Sequence, residues 1–287
     1  MRGKPSLQFS YLAAFACVLS LGIGAPARAA LTEVDIGKSF EHQQTDSGVA
    51  LFGTFFAARA HMNTVGDFDG GTLAYPGSGS PAALLPGADG GGVLVGTQTS
   101  FITPAALSTE YGFGNYAFTA TNSSTSDSQP ATVVYTHDVF TSDVPALTQG
   151  SFLALQGMNA AQAINLSFNG FTPGSGSDQA FTYFSIFDRT SNSFVLTDNL
   201  LPVTTTSESI AGGTLTAGHA YAYEIIFNSR LIGADVDTGL PTQQFFDVRT
   251  FGDFTAAAVP EPEVYALLLA GLGLLGLIAR RRKQRLA

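Results

Sequence analysis

Residues 219–229 read His219-Ala220-Tyr221-Ala222-Tyr223-Glu224-Ile225-Ile226-Phe227-Asn228-Ser229. Tyr221, Tyr223, Ile225 and Phe227 recur at every second position, with Ala220, Ala222, Glu224 and Asn228 mostly between them. Side chains of a strand alternate between faces, so this spacing buries one row and sets the other apart. The stretch predicts a β-strand, and the rest of the body reads in the same way.

Turn residues punctuate Leu31 to Ala258, and no convincing amphipathic helix exceeds about two turns. Ala50–Ala57, Gly92–Thr97, Tyr116–Ala120, Thr132–Phe140, Ile164–Phe168 and Phe181–Asp188 are further candidate strands, as are Ser193–Thr197, Gly213–Leu215 and Phe245–Phe254. Leu51–Ala60 has a short helix as its alternative. Short apolar runs separated by Gly, Asn and Ser predict an all-β fold, an antiparallel β-sandwich or jelly-roll-like body over residues 30–258. The alternative to one body is two subdomains dividing near 141–150. Tyr75–Gly92 and the Ser/Thr-rich Thr119–Ser128 read as loops.

Composition agrees. Of the 287 residues 45% are hydrophobic and only 12% charged, with 32 glycines; soluble domains usually carry about 25% charge. Between Ala30 and Val259, five basic residues (Lys38, Arg59, Arg189, Arg230, Arg249) face 20 acidic ones, a net charge of −15. Phosphate contacts need clustered Lys and Arg, so nucleic acid is excluded as a partner.

The basic residues outside the body mark its ends. Arg2 and Lys4 precede an apolar run from Tyr11 to Ile23, followed by Ala27-Arg28-Ala29. A basic region, an apolar core and an A-x-A site make an export signal, residues 1–29, cut by signal peptidase after about Ala29. The single cysteine, Cys17, lies inside it. The mature chain then has no disulfide, thiolate nucleophile or cysteine metal site.

The C-terminus reads Val259-Pro260-Glu261-Pro262-Glu263, then an apolar run Val264–Ala279, then Arg280-Arg281-Arg282-Lys283-Gln284-Arg285. As a helix, residues 264–279 would span about 24 Å at 1.5 Å per residue, somewhat short of a hydrocarbon core of about 30 Å. Snorkelling basic side chains and local thinning absorb the difference, so one C-terminal transmembrane helix is expected. The Arg cluster stays cytoplasmic and the body lies outside. Pro260 and Pro262 forbid regular helix and keep the preceding segment extended.

At Val259–Arg285 the sequence resembles the PEP-CTERM family of exported bacterial proteins, with signature, apolar segment and Arg cluster in order. The resemblance implies recognition and processing by an exosortase, a transpeptidase-like membrane enzyme, in Gram-negative hosts that make exopolysaccharide, biofilm or floc. Pro260, Glu261 and Pro262 would be the processing motif, and Arg280, Arg281 and Arg282 would retain the substrate. The precursor is expected anchored in the inner membrane with its body in the periplasm, and the product at the cell surface or in the extracellular matrix. Leu201-Pro202-Val203-Thr204 is only a fragment of a sortase signal, with Thr205 in place of Gly. A glycosylphosphatidylinositol signal would end in its apolar stretch, not in arginines.

The body offers little chemistry. Asp67-Phe68-Asp69-Gly70 and Asp235-Val236-Asp237-Thr238-Gly239 place carboxylates two apart beside glycine, as a calcium loop does. Neither has the distal bidentate Glu, and Asp and Gly are also common turn formers, so Asp67, Asp69, Asp235 and Asp237 are weak calcium candidates expected to act as turns. His42, His61, His137 and His219 lack paired spacing. His137 and Asp138 are neighbours, and neighbours on a strand point to opposite faces. Gly112-Phe113-Gly114-Asn115-Tyr116-Ala117 is a turn without dinucleotide-binding context, and Asn122-Ser123-Ser124 is a glycosylation sequon that only a eukaryotic pathway would use.

No Gly-x-Ser-x-Gly elbow or phosphate loop occurs. No catalytic residue, cofactor or metal is therefore expected. The leading reading is a non-enzymatic exported surface or matrix protein. The alternative is a carbohydrate-binding module for the host's exopolysaccharide, although 23 Phe and 9 Tyr without Trp fit core better than sugar platform. A secreted hydrolase comes third, for want of a motif.

Overall fold

The computed structural model describes residues 29–87, 92–257, 269–272 and 274–275. In chain order its elements are β1 (Leu31–Thr45), β2 (Gly48–Met62), β3 (Gly70–Ala74), β4 (Ala82–Pro86), β5 (Val93–Phe101), α1 (Pro104–Glu110), β6 (Gly114–Thr121) and β7 (Ser128–Tyr135). There follow α2 (Gln149–Leu155), β8 (Ile164–Ser167), β9 (Gln179–Asp188), β10 (Ser193–Leu201), β11 (Ser207–Ile210), β12 (Ala220–Ala234) and β13 (Pro241–Thr255). Strands dominate, as the alternation requires.

On β12, Tyr221, Tyr223, Ile225 and Phe227 are fully buried. Eleven strands form one sheet in the order β10-β9-β12-β13-β1-β2-β5-β4-β3-β6-β7, and β11 and β8 pair separately. The expected antiparallel sandwich or jelly roll needs correction here. β1 and β13 pair in parallel, from Val34↔Thr242 to Gln43↔Phe251, so the sheet is mixed. A parallel neighbour demands a long crossover, and the connection between these two strands is nearly the whole body.

The sheet closes by curling. β7 returns against β1 and β13: Leu31 N donates to Gln129 Oε1 (2.7 Å), and Gln244 Nε2 to the Val134 carbonyl (3.2 Å). This encloses a first core that includes Val34, Ile36, Phe56, Leu73, Tyr111, Tyr116, Phe118 and Tyr135. Aromatic stacking fills it, with Phe56 and Tyr111 rings 3.7 Å apart and nearly parallel. A second core, Phe152, Leu155, Leu166, Phe168, Phe184, Ile186, Ile225, Phe227 and Phe254 among others, lies where α2 and the β8–β11 pair contribute to the cover of β9, β12 and β13. Both cores use the same face of the central strands, since Phe246, Val248 and Phe254 alternate on β13.

Several local expectations differ. Gly213–Leu215 is a turn, with Gly213 at φ +82°, not a strand. Ala82–Pro86 of the expected Tyr75–Gly92 loop forms β4, and Leu51–Ala60 is strand, not helix. β7 ends at Tyr135, short of Phe140, and β6 begins inside the expected Gly112–Ala117 turn. Strands β1, β3 and β11 lie where none was expected.

The sorting tail and the export signal fall mainly outside the described residues. Ala27, the motif Pro260, Glu261 and Pro262, and the cluster Arg280, Arg281 and Arg282 lie outside them, and of the singled-out residues at the two ends only Ala29 is described. Of the apolar run, residues 269–272 and 274–275 are helical. No helix among the described residues is long and apolar enough to cross a membrane.

Candidate functional site

The face of the sheet opposite the two cores is built from charge. On β1, Val34 and Ile36 point into the first core, so Glu33 and Asp35 occupy the other side. Antiparallel register sets His61 across from Glu33 and Arg59 across from Asp35, while Gln243 of β13 flanks Asp35 on its other side. Directly paired residues on one face lie close enough to touch.

Asp35 is 1% exposed. Arg59 Nε donates to its Oδ1 (2.8 Å), and His61 Nε2 lies 2.6 Å from its Oδ2. Burial alone would raise its pKa, but the Arg59 charge and both hydrogen bonds outweigh it and hold the carboxyl below the usual range. Glu33 goes the other way. Burial and the neighbouring Asp35 charge raise it, against weaker help from His61, Gln243 and Arg59.

The strip continues across β13, β12 and β9. Arg230 has its guanidinium 4.8 Å from the Phe245 ring and Arg59 has its own 5.5 Å from the same ring. Arg230 Nε donates to Asn228 Oδ1 (2.6 Å), and its Nη2 donates to the Tyr183 hydroxyl. Burial, with Asp247 adding to it against Arg230, pushes Tyr183 up to about 12. Asn228 donates in turn to Asp247, which also takes Arg249 Nη2 at 2.8 Å. Three of the body's five cations, Arg59, Arg230 and Arg249, thus lie on this one face.

The described body residues singled out from sequence are dispersed. Asp235 is buried and ends β12. Its Oδ1 accepts from Asp237 N (3.0 Å), Thr238 N (2.6 Å) and Thr238 Oγ1 (2.7 Å), and its Oδ2 from Thr132 N (2.6 Å). Burial would raise its pKa; these bonds, led by Thr238, lower it. Asp67 accepts from Thr64 N (3.0 Å) and Ala30 N (3.3 Å), and Asp69 from Ser123. Residues 235–239 form a turn closed by Gly239 N donating to the Asp235 carbonyl (2.9 Å), whereas Asp67 N closes the turn from Thr64 (3.0 Å) and Gly70 already belongs to β3.

Tyr135 donates to Asp138, which also lies 3.8 Å from the buried Lys38 Nζ, whereas His137 Nδ1 turns to Thr136 Oγ1 (2.9 Å). These two neighbours do not act together. His219 Nδ1 meets Asp188 Oδ2 at 2.8 Å, and His42 Nδ1 meets the Arg249 carbonyl at 3.3 Å. Among the described aromatic side chains, Phe52, Phe113 and Phe194 are the strongly exposed ones; most others fill the cores. The rings a sugar platform would need are thus largely spent on packing.

Sequence reading missed the charged face. Its signal was present as two i, i+2 pairs of opposite sign, Glu33-x-Asp35 and Arg59-x-His61, which only the register brings together.

Comparison with solved structures gives distant likenesses. A Ca2+-stabilized adhesin that helps an Antarctic bacterium bind ice is 15% identical over 81% of this chain and 50% of that one, with a TM-score of 0.25. A biofilm-associated protein BSP domain is 13% identical over 71% and 28%, with a TM-score of 0.19. A 1.5-MDa bacterial ice-binding adhesin is 13% identical over 79% and 64%, with a TM-score of 0.24. The chain spans half the length of the first and less than two thirds of each of the others. No curated protein matches the chain. The family model of the PEP-CTERM protein-sorting motif, however, matches residues 258–283. The chain therefore ends in a PEP-CTERM sorting motif, a tail that implies an exported protein of the cell surface.

Proposed function

We propose that this chain is a non-enzymatic surface or extracellular-matrix protein, made as a membrane-held precursor and released from its tail by an exosortase. The match of residues 258–283 to the sorting motif carries the reading. Residues 1–29 direct export, residues 30–258 form the delivered body, and residues 259–287 are the sorting signal. Val264–Ala279 holds the precursor in the inner membrane, Arg280, Arg281 and Arg282 remain cytoplasmic, and the exosortase reads Pro260-Glu261-Pro262. The body's work is adhesion or structure, in a biofilm or exopolysaccharide context. Asp35 pairs with Arg59, Asp247 pairs with Arg249 and Asp235 takes up turn amides, and charges spent in this way support a scaffold.

Cell fractionation tests this in a Gram-negative host that has an exosortase. The wild-type body should reach the surface or medium, and a Pro260→Ala, Glu261→Ala, Pro262→Ala variant should stay in the inner membrane. Equal surface delivery of both forms would contradict exosortase sorting.

A further inference from the structure

We propose that Glu33, Asp35 and His61 bind one divalent transition-metal ion of the zinc class, joining β1 to β2. Each residue offers one donor atom, and the three atoms lie within 4.8 Å of one another. Zinc bonds to carboxylate oxygen and imidazole nitrogen are about 2.0–2.2 Å long, so tetrahedral ligands sit roughly 3.4 Å apart. Small rotations of Glu33 and His61, both only partly buried, close that gap. Two carboxylates and one imidazole form a mixed oxygen and nitrogen set that suits zinc-like ions better than calcium, which prefers oxygen alone.

Three features of the surroundings support a cation here. Glu33 and Asp35 are like charges two residues apart on one strand face, with ligand atoms within 4.8 Å of each other, a built-in repulsion. A metal between them would relieve it. Arg59 Nε already holds Asp35 Oδ1 at 2.8 Å, leaving Oδ2 as the ligand atom; a hydrogen-bonded ligating carboxylate is the usual outer-shell arrangement. Gln243, whose side chain hydrogen-bonds Glu33, keeps its Oε1 buried with no hydrogen-bond partner among the described residues, an acceptor not yet used beside the cluster.

On binding, His61 Nε2 exchanges its contact with Asp35 Oδ2 for the metal, and any proton it carries passes to solvent. The Arg59 charge opposes a second cation, but Asp247 lies near enough to interact with it. A ligand position not filled by protein is left to water.

Zinc chloride titrated by calorimetry into the full-length chain in detergent, after chelation and desalting, tests the site. One equivalent should bind and raise the melting temperature. Glu33→Gln and His61→Ala should each weaken binding at least about tenfold, while His42→Ala, His137→Ala and His219→Ala should leave it unchanged. Circular dichroism without metal should show the variants folded. Should His61→Ala misfold, the visible spectrum of Co2+ bound to wild-type chain, lost in Glu33→Gln, serves instead. Absence of zinc binding, or binding that survives Glu33→Gln and His61→Ala, would overturn the proposal.

Discussion

Asp35 meets Arg59 through one carboxylate oxygen and His61 through the other, at 1% exposure. Its value lies less in the pair than in what its loss leaves behind. Removing one member of a buried ion pair costs about 3–5 kcal/mol, because the partner is stranded. Arg59 keeps 25% of its side chain exposed and can turn partly to water, which favours the lower figure. Asp35→Ala should therefore lose roughly 3 kcal/mol in urea unfolding with an unchanged denaturant slope; a loss below about 1 kcal/mol would deny the pair this role. Asp188 sets an acid limit. Burial pushes its carboxyl up, but hydrogen bonds from His219, Ser191 and Thr190 prevail and hold it at about 2. A depressed carboxylate stabilises fully above its unfolded value of about 3.9 and loses that contribution as pH falls towards 2. Stability measured from pH 4 down to 2 should fall more steeply in wild type than in Asp188→Asn. Parallel slopes would show that Asp188 contributes nothing to acid unfolding.

At the scale of elements, glycine is needed where backbones touch. A Cβ at Gly174 would lie 1.8 Å from the Val139 carbonyl oxygen and 2.8 Å from that of Phe140. Backbone cannot step aside as a side-chain tip can, so Gly174→Ala should cost about 2 kcal/mol or more. Gly150, inside α2, has nothing within 4 Å of its added Cβ, so Gly150→Ala should be neutral or gain up to about 1 kcal/mol. Thermal melts of the two variants should move apart, and a common shift would remove the close-approach argument. The same scale explains what was legible. β12 and β13 could be read because their buried rows are aromatic and aliphatic, and alternation survives any context. β1 was hidden. Glu33, Asp35 and Glu41 look like a solvated loop until His61 and Arg59 of β2 and Arg249 of β13 come to lie beside them. Gly213–Leu215 erred in the other direction, since a threonine and a leucine after a glycine fit a turn as well as a strand, and φ +82° at Gly213 decides it.

For the whole molecule, the parallel pairing of the first and last strands fixes polarity. The chain enters the sheet at one end of β1 and leaves from the opposite end of β13, with ten paired positions between Val34 and Gln43. At about 3.3 Å each, that separation places the Glu33–Asp35–His61 cluster far from the point where the tail departs. Neither this polarity nor the curl of the sheet could be read locally, because both depend on distant partners, such as His42 and Arg249, 207 residues apart. The tail needed no such partners: proline pair, apolar run and arginines are contiguous, and residues 258–283 match the sorting motif. The surface role proposed for the body rests on that tail being cut. Mass spectrometry of the mature C-terminus in an exosortase-bearing host tests this most directly. The account predicts a chain ending near Pro260-Glu261-Pro262, without Val264–Ala279 or the Arg cluster, and a triple-alanine variant that keeps them; a wild-type protein still ending at Ala287 would contradict it.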